Sequence, residues 1–203
     1  IEIDNHELKQ ISNGNYMTFV PTYNLGPIPL GAWTESYQAL GYIADGVTNE
    51  YVWGWMKLVE FDKITSEQVW EWNPINHFTM DDYDAYGGTW WNALQSGNYD
   101  WLHSNAFHFD NQNQVIYFSS RHLSRITKID YLSGSVVWNM GTFMPSGDVT
   151  VGNDLGLSGQ HSVKLLDNSN LMMYDNGFES DSLASRGLEI SVISSDSIPE
   201  AEV

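Results

Sequence analysis

Apolar and polar positions alternate with a period of two along most of this chain, in short runs broken by Asn, Asp, Gly and Ser. That alternation predicts half-buried strands joined by tight turns. The clearest stretch is Asp100 to Gly141, DWLHSNAFHFDNQNQVIYFSSRHLSRITKIDYLSGSVVWNMG. His103, Asn105, Phe107 and Phe109 share one parity, and so one face of a strand. Asp110 to Asn113 is a polar turn. Val115, Tyr117, Ser119 and Arg121 share a face of the next strand. Ile126 to Asp130 reads as a third strand, Leu132-Ser133-Gly134 as a turn, and Val136 to Asn139 as a fourth. Four antiparallel strands in about 40 residues is the size of one propeller blade.

The stretch has partial echoes on both sides. His6 is followed at offsets of 7, 9 and 13 by Asn13, Asn15 and Phe19. His161 is followed at the same offsets by Asn168, Asn170 and Tyr174. After His103 the matching Asn111, Asn113 and Tyr117 each fall one residue later, as if one residue were inserted in the turn. Gln68-Val69-Trp70 resembles Val136-Val137-Trp138. The pattern therefore predicts an all-β β-propeller of four-stranded antiparallel blades, of which this chain covers about three to four. The units fall at about 1–73, 100–141 and 160–194, with irregular insertions at 21–49, 74–99 and 142–159.

Within this plan Ile1 to Val20 is a hairpin with Asn-Gly in its turn. Pro21 to Asn49 is an excursion with edge strands, and Pro74 to Asp100 an irregular loop. No helix is predicted. Asp82-x-Asp84-x-Tyr86-Gly87 faintly resembles a calcium loop, but position five is Tyr and position twelve is Ala93 instead of Glu, which favours a solvated turn. The tail from Ser195 is acidic and expected to fray. The chain starts at Ile1, inside what reads as a turn, which suggests part of a longer protein.

Composition narrows the partners. The 203 residues carry a net charge of −18 with only eight Lys and Arg. Such a surface argues against nucleic acid, whose phosphates need many cations. No apolar run reaches the length of a membrane span. Cysteine is absent, so no disulfide informs the compartment. Nine Trp and eleven Tyr suit a strand-rich core.

In a propeller the first strand of each blade lines the central channel, so His6, His103 and His161 are expected to converge there. Asn105 follows on the face of His103, and Arg121 reaches the same mouth from the paired strand. Three His, one Asn and one Arg, with no carboxylate at the matching places, suit a tetrahedral oxyanion. Arg supplies a planar fork, and imidazole serves as nucleophile or as acid and base near neutrality. His108 and His122 have the wrong parity for this face and are expected to point elsewhere. His77 gives no signal. Trp70, Trp72 and Trp138 are expected to pack between blades.

DWLHSN (Asp100 to Asn105), SSR (Ser119 to Arg121), GSVVWNMG (Gly134 to Gly141), GQHSV (Gly159 to Val163), YDNG (Tyr174 to Gly177) and the opening DNHELKQISNGN together resemble the arylsulfotransferase family. The resemblance implies a six-bladed propeller that moves a sulfuryl group from an aryl sulfate donor to a phenolic acceptor through a sulfated histidine. It implies no cofactor and no metal. His161 matches the histidine that takes the sulfuryl group. His103, Asn105 and Arg121 match residues that hold sulfate oxygens and assist proton transfer, and His6 matches an earlier channel histidine. A periplasmic or secreted location is implied as well.

Six blades need roughly 240 residues, so the remaining propeller must come from elsewhere in the protein or from another chain, and homo-oligomers are compatible with this. Two other readings stay open at this level. One is a metal-dependent propeller enzyme with the three His as ligands. The other is a non-catalytic binding module that uses its Trp and Tyr.

Overall fold

The computed structural model describes residues 3–4, 6–84, 88–146, 150–151, 155–178, 184–193 and 200–202. The chain is all-β and mostly antiparallel. The first sheet runs β1 (Leu8–Gln10), β2 (Tyr16–Gly26), β3 (Tyr51–Phe61), β4 (Gln68–Trp72), in that spatial order. A short strand, β5 (Tyr99–Asp100), adds to β3 in parallel. The second sheet is the meander β6 (Ser104–Asp110), β7 (Val115–Ser120), β8 (Arg125–Asp130), β9 (Val136–Gly141), with β10 (Thr150–Val151) parallel to β9. The third is β11 (His161–Leu165), β12 (Leu171–Asp175), β13 (Arg186–Ile193), β14 (Glu200–Glu202). Among the described residues no sheet closes on itself.

The first strands of the three sheets lie side by side. The Phe107 amide on β6 donates to Glu7 Oε2 at 2.8 Å, and Lys9 Nζ on β1 donates back to the Phe107 carbonyl. On the other side β11 packs along β6 and β7. Trp70 and Trp72 on β4 donate their indole N–H groups to the Tyr131 and Gly134 carbonyls of the second sheet, at 3.1 and 3.0 Å. Trp138 packs on Tyr117, in the cluster that joins the second sheet to Val163, Leu171 and Met173 of the third. These three Trp therefore pack between neighbouring sheets.

The echo in the sequence has a physical basis. Asn13 and Asn15 both donate to Glu60 Oε1, at 2.9 and 2.7 Å. Asn168 and Asn170 donate in the same way to Glu189 Oε1, at 2.9 and 2.7 Å. Each turn thus clamps a glutamate from the third strand of its own sheet. The middle sheet departs from this. The expected single insertion in its turn is absent: four residues separate the paired Asp110 and Val115, against five between Gln10 and Tyr16. The irregularity is instead a bulge between Ser104 and Ala106, and Asn113 bonds Asp110 of its own turn.

Three further expectations need correction. β2 continues through Pro21 to Gly26 and pairs with β3 along its whole length, so the excursion starts later than expected. Pro21 is tolerated because β1 ends its pairing at Thr18 and leaves that flank open. Two helices occur where none was expected: α1 (Thr34–Ala39) and α2 (Gly88–Ser96). Trp90 and Ala93 bury one face of α2, and Trp90 stacks on Tyr99 with ring centroids 3.9 Å apart. The third sheet also runs past 194, since β14 pairs with β13; residues 195–199 and 203 of the expected tail lie outside the described residues.

The faint calcium loop is no solvated turn. Asp82 is fully buried, 3.8 Å from the equally buried Arg125 guanidinium, and Asp84 Oδ2 accepts from the Thr89 amide and hydroxyl at the start of α2. Tyr86 and Gly87 lie outside the described residues, and Ala93 is a buried helix residue.

Candidate functional site

His103 stands immediately before β6 with φ of +44°, and Ser162, next after His161, has φ of +58°. Arg121 and His122 belong to a single 3₁₀ turn, Arg121–Leu123, which Ser124 ends in the left-handed region at φ +47°. Non-glycine residues in that region are uncommon and cost of order 1–3 kcal/mol each, so the surrounding packing has to enforce them. That packing is visible. The Gln160 side chain is buried and its Nε2 donates to Ser119 Oγ, the Ser120 carbonyl and the Arg125 carbonyl at 3.1, 3.2 and 2.9 Å. His161 is thereby fastened to the second sheet. Asp175 Oδ1 accepts from the Ser158 amide at 2.9 Å, and Asn176 Nδ2 donates to the Gly159 carbonyl at 2.6 Å. The YDNG segment thus holds the GQH segment in place.

The side chains meet in one line. Arg121 Nε donates to His161 Nε2 at 3.2 Å, and Arg121 Nη1 to His122 Nε2 at 3.0 Å. The His122 and His103 rings lie 4.7 Å apart, and the His103 and His6 rings 5.4 Å apart. His103 Nδ1 bonds Asp100 Oδ2 at 2.5 Å, and His6 Nδ1 bonds Asp4 Oδ1 at 2.6 Å. The Phe178 ring covers the guanidinium at 5.3 Å. A cleft of about 540 Å³ opens at this line; His6, His103, Arg121 and His122 form one side, with Tyr23 and Trp55 among its other walls.

His6, His103, Arg121 and His161 are therefore gathered in space. Asn105 is placed differently: it is buried, its Nδ2 donates to the Gln160 carbonyl at 2.9 Å, and it borders a second cavity of about 490 Å³ with Lys9, His108 and Lys164. The parity argument failed for His122, because a 3₁₀ turn sends successive side chains about 120° apart, not to opposite faces. Carboxylates nevertheless lie close by, since Asp100 and Asp4 back two of the imidazoles. Asp100, His122, Gln160 and Phe178 had no assigned role in the sequence. The signal for Asp100 was its place three residues before His103 in DWLHSN.

Charge follows from these contacts. Burial pushes the His122 imidazole down to about 4, so it is neutral at pH 7. Its Nδ1 bonds the Asp100 carbonyl at 2.6 Å, which requires the proton there and leaves Nε2 as acceptor. Burial, then the nearby Arg121, lowers His161 below its usual value, and its Nε2 likewise accepts. Burial raises Asp100, but the His103 bond and the neighbouring His122 and His103 rings outweigh it and hold the carboxyl below its usual value. Burial lowers Arg121 somewhat below its usual value, which leaves it cationic at neutrality.

Asp100, His103 and His122 bring ligand atoms within 4.8 Å of one another, a different trio from the three expected His. They suit a divalent metal poorly. Both His122 nitrogens are engaged, and a cation beside Nε2 would face the Arg121 guanidinium.

A strand scaffold that sets neutral imidazoles around one guanidinium, beside an open cleft, is chemically suited to a small oxyanion. The arylsulfotransferase (ASST) family model matches residues 56–189, and the chain belongs to that family. The match includes His103, Asn105, Arg121 and His161, while His6 precedes it. Membership points to a sulfotransferase acting on aryl substrates. No curated protein sequence matches the chain.

Proposed function

We propose that the chain forms part of a six-bladed propeller enzyme that moves a sulfuryl group from an aryl sulfate to a phenol, through a sulfo-histidine at His161. The three meanders would be adjacent blades, with β1, β6 and β11 lining the channel. A periplasmic or secreted location belongs to the same reading and rests on the family resemblance. The observation that carries it is Arg121, fixed between two neutral imidazoles while three of its five N–H groups have no bond among the described residues. Those three can take the oxygens of a sulfate.

The chemistry then follows from the contacts. Sulfuryl transfer, like phosphoryl transfer, depends on in-line placement and on charge stabilisation at the peripheral oxygens. Arg121 turns its Nε–H from His161 to a sulfate oxygen, which frees the Nε2 lone pair. That lone pair attacks sulfur as the S–O bond to the aryl group breaks. His103, supported by Asp100, donates the Nε2 proton to the departing phenolate. The second phenol enters, the same nitrogen removes its proton, its oxygen attacks sulfur, and the N–S bond breaks. A positioned acid–base group contributes about 10²–10⁴-fold to such a step.

His161→Ala should abolish transfer from 4-nitrophenyl sulfate and prevent radiolabelling of the protein by ³⁵S donor. Full activity in that variant would discard the sulfo-histidine. Arg121→Lys should also be severely impaired, because Lys lacks the planar fork.

A further inference from the structure

We infer that His122 is a positioning residue that holds the Arg121 guanidinium open toward the cleft, with the Asp100 backbone as its anchor. This rests on the reading that Arg121 grips the sulfuryl group. The ring is fixed at both ends: Nδ1 on the Asp100 carbonyl at 2.6 Å and Nε2 on Arg121 Nη1 at 3.0 Å. Few side chains offer a donor and an acceptor on opposite sides of one rigid ring, and neutral imidazole is one of them.

The need for such a prop comes from Asp100. An arginine beside a carboxylate ordinarily forms a two-pronged ion pair, which would occupy the N–H groups meant for the oxyanion. Here the Asp100 carboxylate is turned to His103 and its carbonyl to His122. The groups that act on His122 are Asp100, His103 and Arg121, and only Asp100 is an acid. The 3₁₀ turn supplies the geometry, since it puts His122 next to Arg121 on the cleft side.

The test compares His122→Phe, which keeps a ring but has no acceptor, with His122→Gln, which restores one. KM and kcat for 4-nitrophenyl sulfate, Kd for the unreactive 4-nitrobenzenesulfonate, and Tm are measured for both. His122→Phe should weaken KM and Kd about tenfold or more, a loss typical of a misplaced charged hydrogen bond. His122→Gln should remain within about threefold of wild type, whatever its Tm. Unchanged affinity in His122→Phe would overturn the inference, as would equal losses in both variants that follow Tm alone. If the wild type turns over no aryl sulfate, the sulfotransferase reading falls separately. The inference is then decided by ¹⁵N NMR of the Arg121 side chain. Distinct, slowly exchanging guanidinium resonances in wild type and His122→Gln that average in His122→Phe support it, and averaging already in wild type refutes it.

Discussion

Glu60 offers the sharpest stability test, because the fold contains its own control. The residue is 1 % exposed and accepts from three side chains: Asn13 and Asn15 on Oε1, and the Tyr131 hydroxyl on Oε2 at 2.5 Å. Tyr131 belongs to the second sheet's β8–β9 turn, so the carboxylate ties two sheets together. Glu60→Ala removes the acceptors of all three donors at once. An orphaned donor costs about 1–3 kcal/mol when water cannot replace the partner. The two Asn lie in a surface turn and recover part of that loss from solvent, while the half-buried Tyr131 hydroxyl recovers little. The sum is about 3 kcal/mol, a large part of a typical total of about 5–15 kcal/mol. At about 2–4 °C per kcal/mol for a chain of this size, Tm should fall by roughly 6–12 °C.

Glu189→Ala breaks the same Asn clamp in the third sheet, but Glu189 is exposed. Its variant should melt close to wild type. Glu60→Gln keeps the shape and one acceptor and should lose only about 1 kcal/mol. Thermal and urea unfolding followed by Trp fluorescence measures all three. A Glu60→Ala variant within about 1 kcal/mol of wild type would refute the reasoning. So would a Glu189→Ala variant that falls as far.

Other consequences concern the site. His77, His108, His122 and His161 are all lowered from 6.5, with burial the first cause in each. Such groups stabilise fully above about pH 6.5 and lose that contribution as pH falls toward their folded values, about 4 for His122. Tm at fixed ionic strength should therefore drop between those limits, and less steeply in His122→Gln; a flat profile would contradict the assignment. Asp100→Asn keeps the carbonyl that His122 uses but weakens the support of His103, so kcat should fall about 10²-fold or more with a near-normal Tm. An unchanged kcat would remove the Asp100–His103 pair from the mechanism. Gly159 has φ of +66°, and a Cβ there would lie 2.9 Å from Phe178. Gly159→Ala should cost about 1–2 kcal/mol and shift Phe178 off Arg121, raising KM for the aryl sulfate.

The strands were legible because each buries one face and exposes the other, which writes a period of two into the sequence. The gathering of His6, His103 and His161 was legible because each stands at the head of the first strand in its sheet. What failed has definite causes. α2 was hidden because GTWWNALQS combines weak helix formers with aromatics that suit a strand, and tertiary burial of Trp90 decides the outcome. His122 was misdirected because parity holds only while the chain is extended, and the chain leaves β7 at Ser120. Asn105 shared a face with His103 only on an unbroken strand, and the bulge at Ser104–Ala106 breaks that strand there.

The same geometry bears on how a chain of net charge −18 would hold the oxyanion that the proposed function requires. Long-range attraction is absent, so the binding must be local, over a few ångströms and inside a half-buried cleft where screening by water is weaker. Neutral imidazoles meet that need better than a ring of lysines. Each accepts a bond from Arg121 and so fixes its direction without adding a cation that the buried position would penalise. The acids that the surface requires are then kept off the guanidinium by giving each its own imidazole, Asp100 to His103 and Asp4 to His6. On that reading a single arginine suffices, because among the described residues no carboxylate bonds its guanidinium.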